Sequence, residues 1–347
     1  MCIRDSCTYV LGNDPVSHHL MQLLSQAVQR GVQVRLLIDA VGSWRTSWRM
    51  LRRLRQAGLQ VRCFMPLLHN PMRGRINLRN HRKLVVADGQ RLWTGGRNLA
   101  QLYFLPYRKQ PGWIDLTVTI EGALAQQAQQ LFNACWRRHR GHSMSLRRPL
   151  NTHSVATAPS ATPESSDLPH CTQLIPSGPD LADDTVLSLL LTGLYQARQS
   201  VWAITPYFVP DESLLTALRL AAIRGVDVNL LIPRRSNHWL ADIVRQQPLR
   251  DLAAAGGKIW LVDHMMHAKV VLIDDSLALT GSLNLDARSL FLNFELMVAF
   301  YSQQDISALQ AWVAQLAGQA HPYTPPTQTS FLRDIGEGMV RWLGFQI

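Results

Sequence analysis

The feature that most constrains the fold is a short pattern that occurs once in each half of the chain. In both copies a His is followed by Lys two residues later, Asp after seven, Gly after fourteen and Asn after seventeen. The copies begin at His81 and His267. Three fixed positions match by chance about once in 10^4 placements. Two copies that share the same downstream residues therefore indicate a duplicated unit.

The sequence around the two patterns repeats as well. A helical spacing of apolar residues ends at Gly31 in the first half and at Gly225 in the second, where a left-handed helix C-terminus favours glycine. A buried strand is predicted directly after each glycine, at Val32–Ile38 and Val226–Ile232. Strand pairs follow in both halves. We therefore predict an α/β fold of two repeated α/β/α halves with mixed sheets around one pseudo-twofold active site.

We predict four segments. They are an N-terminal half at 1–140, a flexible Ser/Thr/Pro-rich linker at 141–170, a C-terminal half at 171–320 and a basic amphipathic tail at 321–347. Residues 1–6 resemble a cloning scar and are left out of the fold prediction, with the first strand placed at Thr8–Asn13. This interpretation implies a truncated N-terminus.

Composition limits the classes of protein that fit. The 347 residues carry a net charge of +11, although only 17% are charged, so the protein should attract anions such as lipid headgroups or nucleic acid. The five cysteines are scattered, which argues against a disulfide framework or a zinc site and favours a reducing compartment. No transmembrane helix and no signal peptide is recognised in the sequence.

The residue types of the repeated pattern suit a phosphodiester. Residues two apart on a strand share a face, so each His and its Lys should point into a common cavity. Ammonium groups can hold the phosphate oxygens, and imidazoles can act as nucleophile and general acid. No metal or other cofactor is needed, because the lysines supply the positive charge. The predicted catalytic set is His81, Lys83, Asp88, His267, Lys269 and Asp274.

Further residues should support this site. Asn98 and Asn284 are expected to donate to the ligand, Gly95 and Gly281 to let backbone approach it, and Ser282 to add a hydroxyl. We expect Asp115 to orient His81 and Glu295 to orient His267, because each acid lies in the same half as its histidine. The aspartates Asp88 and Asp274 end strands, which favours bracing a turn or the partner half over proton transfer.

The paired patterns resemble the phospholipase D superfamily over nearly the whole chain. The runs Thr205–Asp211 and Asn284–Glu295 are similar to those of bacterial cardiolipin synthases. The resemblance implies transfer of a phosphatidyl group from phosphatidylglycerol to a second lipid alcohol through a phosphohistidine. It implies that His81 is the nucleophile and His267 the acid. The first half departs from the second by having Gly96 in place of a serine, and Arg97 is expected to contribute charge instead.

The expected partners are an anionic phospholipid substrate and a membrane surface, with nucleic acid not expected. The arginine-rich segments 45–55 and 137–148 and the C-terminal tail would favour anionic lipid. The expected location is the cytoplasmic face of the bacterial inner membrane, peripheral or anchored by a missing segment. A nuclease of the same chemistry, a phospholipase that uses water, and a non-catalytic lipid-binding module remain open alternatives.

Overall fold

The computed structural model describes residues 2–65, 78–138, 171–179, 181 and 184–325. The predicted linker lies entirely outside the described residues, as do most of the basic segment 137–148 and the tail beyond residue 325. The first two residues after position 320 form an edge strand of the second sheet. None of the helices in the described ranges has the length and apolar character needed to cross a membrane.

Within residues 2–65 and 78–138, the first half forms one mixed sheet and three helices. Its strands are β1 (Ile3–Thr8), β2 (Gln33–Asp39), β3 (Gln60–Phe64), β4 (Arg79–Asn80), β5 (Leu84–Ala87), β6 (Arg91–Gly95) and β7 (Thr117–Glu121). Its helices are α1 (Pro15–Gln29), α2 (Trp48–Gln56) and α3 (Ala123–Arg138), with a 3-10 turn at Gln101–Tyr103. The sheet order is β3-β2-β1-β5-β6-β7.

The second half repeats this order within a larger sheet. Its strands are β8 (Thr172–Ser177), β9 (Ser200–Ile204), β10 (Phe208–Val209), β11 (Asp227–Pro233), β12 (Lys258–Val262), β13 (Val270–Ile273), β14 (Leu277–Gly281), β15 (Leu285–Asp286), β16 (Asn293–Phe300) and β17 (His321–Pro322). Its helices are α4 (Thr185–Gln196), α5 (Glu212–Ile223), α6 (Trp239–Val244), α7 (Gln246–Ala254), α8 (Ala287–Phe291) and α9 (Gln303–Ala317). The run β12-β11-β9-β13-β14-β16 matches the first sheet strand for strand, so the predicted duplication is confirmed.

The chain start differs from the prediction. The first strand is Ile3–Thr8 rather than Thr8–Asn13, and it lies between β2 and β5 in the sheet. The residues left out of the fold prediction therefore contribute a central strand, with Asp5 fully buried against Arg35. The prediction failed because a polar Arg-Asp-Ser run does not predict a buried strand. Here the buried carboxylate of Asp5 accepts hydrogen bonds from Arg35 and Gln129.

The two sheets share one core. Side chains alternate along a buried strand, so each sheet has two apolar faces. Leu37 and Leu231 point into a cluster that both sheets and the helices α3 and α9 fill. The neighbours of Leu37 on its strand face α1 and α2, and those of Leu231 face α4, α5 and α7. This shared layer holds the two halves against each other and brings the two patterns together.

The helix ends follow the expected local chemistry. Asp14 caps α1 by accepting from the backbone of Ser17, and Asp211 caps α5 in the equivalent place. Gly31 and Gly225 adopt φ values of 84° and 93° directly after these helices. Both glycine predictions are therefore confirmed. In each half a capped helix thus leads from the first sheet strand back to the second.

Candidate active site

Each histidine of the repeated pattern is held by backbone of the other half. Strand β4 leads into His81 and pairs in parallel with the start of β16, and the His81 N–H donates to the Phe294 carbonyl at 2.9 Å. In the second half Met266 bridges to Ile114, and the His267 N–H donates to the Ile114 carbonyl at 2.6 Å. The exchange is reciprocal, as the predicted pseudo-twofold requires.

The carboxylates are exchanged in the same way. The Nδ1 atom of His81 lies 2.8 Å from Oε1 of Glu295, and Nδ1 of His267 lies 2.8 Å from Oδ2 of Asp115. The prediction that Asp115 orients His81 and Glu295 orients His267 is therefore wrong. Within one half a whole strand separates the two groups, β6 or β14, which places them about 10 Å apart. The residue before each acid instead hydrogen-bonds directly to the histidine of the opposite half.

The two acids differ in length, and the residue beside each one differs accordingly. The Ser282 hydroxyl donates to Oε2 of Glu295 at 2.5 Å. Gly96 occupies the equivalent place in the first half, where a Cβ atom would lie 2.1 Å from a carboxylate oxygen of Asp115. The absence of a side chain at Gly96 therefore leaves the space that the Asp115 carboxylate occupies. Arg97 does not replace it, since its guanidinium donates to the Tyr103 carbonyl and the Thr117 hydroxyl.

Both lysines are buried beside their own histidines. The ammonium group of Lys83 donates to the His81 carbonyl at 2.7 Å, and that of Lys269 lies 3.0 Å from Nε2 of His267. Burial lowers the pKa of Lys269 to about 8 and that of Lys83 well below its usual value, and the charge of Lys269 adds to the effect on Lys83. The charges of the two lysines therefore act on each other across the two halves.

Burial favours the neutral form of both imidazoles. Burial lowers the pKa of His81 to about 4 against the opposing charge of Glu295, and lowers that of His267 to about 3, with Lys269 adding to the effect. Burial favours the protonated acids, but their histidine partners and the nearby lysines hold the pKa values of Asp115 and Glu295 below normal. Since an ionised carboxylate only accepts, each Nδ1 carries the proton and each Nε2 is left as an acceptor. At His267 this acceptor faces the Lys269 ammonium group.

These values predict an alkaline limit on activity. As pH rises through about 8, Lys269 loses its proton and with it the charge that attracts a phosphodiester, so kcat/KM should fall. On the acid side the low pKa of His81 keeps the imidazole neutral well below pH 6. A pH profile of kcat/KM checks both limbs. In a Lys269→Arg variant, whose charge persists, the alkaline fall should move upward, and an unchanged limb would contradict the assignment.

Aromatic rings form walls beside the two imidazoles. The Tyr9 ring lies 4.9 Å from His81 in an edge contact. Tyr103, Trp113 and Tyr207 surround His267 with centroid distances of 5.0, 5.7 and 6.5 Å. None of these four was predicted as a site residue, although Tyr207 lies in the run Thr205–Asp211. No spacing in the sequence connects Tyr9 or Tyr103 with the patterns.

The motif aspartates lie at the far ends of strands β5 and β13. Asp88 lies five positions after Lys83, which corresponds to roughly 16 Å along a strand. Asp88 accepts from the Ile3 N–H at 2.6 Å, and Asp274 accepts from the Gln199 and Ser200 N–H groups at 2.8 and 2.9 Å. Their place in the predicted catalytic set is therefore wrong, and so is bracing of the partner half. Each aspartate ties its turn to the start of a neighbouring strand of its own half, β1 for Asp88 and β9 for Asp274.

Removal of the Asp274 carboxylate should therefore affect stability rather than chemistry. Asp274→Ala leaves backbone N–H groups without an acceptor and places alanine at a φ of 49°, so we expect unfolding free energy to drop by about 1–3 kcal/mol. Asp274→Asn keeps an acceptor and tolerates this conformation, so its loss should be smaller. Denaturant unfolding and kcat at a permissive temperature check this. A kcat loss as large as that of a histidine variant would contradict it.

The glycines and asparagines also serve the frame of the site. A Cβ at Gly95 or Gly281 would lie 2.3 or 2.2 Å from a carbonyl of the neighbouring strand. The glycines therefore allow the neighbouring strand to pack closely. The prediction that they let backbone approach a ligand is corrected accordingly. Asn98 accepts from the Val10 N–H at 3.0 Å, and Asn284 donates to Ser289 at 3.2 Å. Both are buried at the edge that carries the histidines, and donation to a ligand stays a prediction.

Comparisons with known proteins agree with this geometry. The family model described as "Cardiolipin synthase, PLD-like domain" matches residues 5–136 and 190–317, one match for each half. Cardiolipin synthase 1 of Bacillus cereus is 34% identical over 303 residues, which cover 86% of this chain and 58% of that protein. The major cardiolipin synthase ClsA of Bacillus subtilis is 32% identical over 295 residues, or 84% of this chain and 59% of that protein. The chain thus spans less than two thirds of the length of these relatives.

Solved structures share the fold. The crystal structure of a phosphatidylserine synthase from Haemophilus influenzae superposes with a TM-score of 0.69 at 14% identity, covering 99% of this chain and 87% of that one. A polyphosphate kinase from Porphyromonas gingivalis gives a TM-score of 0.60 at 12% identity, covering 99% and 48%. At these identities the likeness concerns the fold alone. From the family match in both halves and the identity to its relatives, the chain belongs to the cardiolipin synthase family of PLD-like domains.

Proposed function

We propose that the protein is a phosphatidyltransferase that makes cardiolipin. It would transfer a phosphatidyl group from phosphatidylglycerol to the alcohol of a second phospholipid, with release of glycerol. The observation that carries the proposal is the pair of neutral imidazoles, each oriented by a carboxylate of the opposite half, with two buried lysines beside them. The names of the curated relatives supply the substrate class.

The first step forms a phosphohistidine. Nε2 of His81 attacks the phosphorus, and the bond from phosphorus to the oxygen of the headgroup glycerol breaks. His267 gives its proton to that leaving oxygen. A bound phosphodiester anion raises the pKa of both imidazoles, so His267 can take up the proton that it must donate. Glu295 stabilises the positive charge that develops on His81. The lysines and the asparagine amides would hold the non-bridging oxygens.

The second step reverses the roles. His267, now neutral, accepts the proton of the incoming lipid alcohol, whose oxygen attacks phosphorus. The bond from phosphorus to Nε2 of His81 breaks and the free imidazole returns. Water could enter in place of the alcohol and would give phosphatidic acid. The acceptor is therefore decided by which alcohol reaches the covalent intermediate.

We also propose where this happens. A substrate with two acyl chains stays in a bilayer, so the enzyme would work at a membrane surface, on the cytoplasmic face of the bacterial inner membrane. The net charge of +11 suits an anionic lipid. Nucleic acid is not expected as a substrate.

Product analysis tests the proposal. The purified protein is incubated with phosphatidylglycerol vesicles and, separately, with plasmid DNA, and lipids are identified by mass spectrometry. Cardiolipin with equimolar glycerol is expected, and the same lipid should appear when the chain is expressed in a host that lacks its own cardiolipin. Phosphatidic acid alone would instead identify a hydrolase. Cleavage of the plasmid without cardiolipin would identify a nuclease, and no turnover of any kind would leave a binding module.

A further inference from the structure

Three tryptophans stand out as exposed apolar side chains. Trp48, Trp44 and Trp239 expose 78%, 68% and 68% of their surface. The first two follow strand β2 and the third follows β11, and these strands hold equivalent positions in the two sheets. Both strands end at the sheet edge that carries the histidines, because β1 and β9 run parallel to them and antiparallel to β5 and β13.

The first tryptophan loop, residues 40–48, is fixed to the wall beside His81. The Ser43 hydroxyl donates to the Tyr9 carbonyl at 2.9 Å, and the Leu11 N–H donates to the same hydroxyl at 3.0 Å. The ring of Tyr9 in turn lies 4.9 Å from His81. Trp44 is the next residue after Ser43, so its exposed indole is held two contacts away from an imidazole.

The second tryptophan loop, residues 234–239, contacts the wall beside His267 in a similar way. The Tyr207 hydroxyl donates to Oδ1 of Asn237 at 2.6 Å, and its ring lies 5.1 Å from His238. The same ring is 6.5 Å from His267. Trp239 follows directly as the first residue of α6. Each half therefore holds an exposed indole close to its own histidine, Trp44 through Tyr9 and Trp239 through Tyr207.

The surroundings of the first loop are strongly basic. Residues 41–57 contain five arginines and no acidic residue. All five are exposed, and the guanidinium of Arg45 lies 5.0 Å from the Trp44 ring centroid. A second copy of the chain docked through the same face would bring like charges together. These arginines and the exposed indoles instead complement a surface with negative groups on its outside and an apolar layer beneath them.

We propose that the two tryptophan loops dock the protein on the interface of an anionic phospholipid bilayer, with the site between them facing the lipid. Indole rings favour the headgroup level of a bilayer, and arginines above it bind anionic headgroups. This deepens the proposed function and rests on it for the identity of the lipid. It explains how a lipid phosphate could reach imidazoles whose residues are less than 9% exposed.

The test measures binding without turnover. The full chain is sedimented with vesicles of phosphatidylglycerol and phosphatidylcholine, and with phosphatidylcholine alone. Trp44→Ala with Trp48→Ala, and separately Trp239→Ala, should each weaken binding to the anionic vesicles by roughly tenfold or more, which corresponds to about 1.4 kcal/mol or more. The control is Ile223→Ala, since Ile223 is 64% exposed at the end of α5 on the opposite edge of the sheet. It should bind like the parent.

Activity separates docking from chemistry. With short-chain phosphatidylglycerol below its micelle concentration, the tryptophan variants should turn over within about twofold of the parent, while turnover on vesicles falls with binding. If the parent shows no transfer on either substrate, the proposed function is wrong. The vesicle-binding result still tests the docking proposal independently.

Three results would overturn the docking proposal. One is vesicle binding by the tryptophan variants that equals that of Ile223→Ala. Another is that the tryptophan variants change oligomeric state in size-exclusion chromatography while vesicle binding is unchanged. This result would make the face with the tryptophan loops an interface between copies of the chain. The third is that the tryptophan variants lose binding to a DNA oligonucleotide while they still bind vesicles like the parent.

Discussion

Replacement of His81 with alanine is expected to lower phosphatidyl transfer by at least about 10^4-fold, because no other group can form the covalent intermediate. The imidazole is oriented by Glu295 through Nδ1 and keeps the Nε2 lone pair for phosphorus. Brief incubation with phosphatidylglycerol labelled in its phosphate, followed by alkaline quenching, should show a protein-bound label in the parent. His81→Ala should show none.

His267→Ala distinguishes the two histidines. It removes the proposed acid but leaves the nucleophile, so turnover should fall about as far while slow labelling of His81 remains detectable. His321→Ala is the matched control, since this histidine is exposed and paired only with Asp263 among the described contacts, and it should behave like the parent. Labelling that survives in His81→Ala and disappears in His267→Ala would reverse the two roles.

Replacement of Glu295 with glutamine is expected to lower kcat by about 10^2- to 10^4-fold, because glutamine can no longer stabilise the imidazolium-like charge on His81. The negative charge of Glu295 raises the pKa of His81 against burial. Its removal should therefore lower that pKa further, without affecting His267. NMR titration of the imidazole signals checks the direction. Asp115→Asn should do the same to His267 and leave His81 unchanged.

A double-mutant cycle tests the crossed pairing directly. Unfolding free energies of His81→Ala, Glu295→Gln and their combination should reveal a coupling of about 1 kcal/mol or more, whereas His81→Ala with Asp115→Asn should be additive within about 0.5 kcal/mol. Ser282→Ala, which removes one hydrogen bond from Glu295, should give a smaller kcat loss than Glu295→Gln. Coupling between His81 and Asp115 instead would contradict the structure.

Repetition made much of the fold predictable. The glycines that end α1 and α5, the strands after them and the paired strands of each pattern follow from local periodicity, and two copies with equal spacing imply a pseudo-twofold. The failures fell where local pattern and tertiary role differ. The polar strand Ile3–Thr8 is buried through an ion pair with Arg35, and the pairing of β4 with β16 joins segments more than two hundred residues apart.

The sequence by itself determined the duplicated α/β unit and the residue types of a phosphodiester site, because spacing along a strand fixes which side chains share a face. It also placed the motif aspartates at strand ends. The tertiary structure decided which acid serves which histidine, since hydrogen bonding between the halves brings Glu295 and Asp115 to the opposite imidazoles. It also decided which rings line the site. These contacts join residues distant along the chain, and no local rule of spacing encodes them.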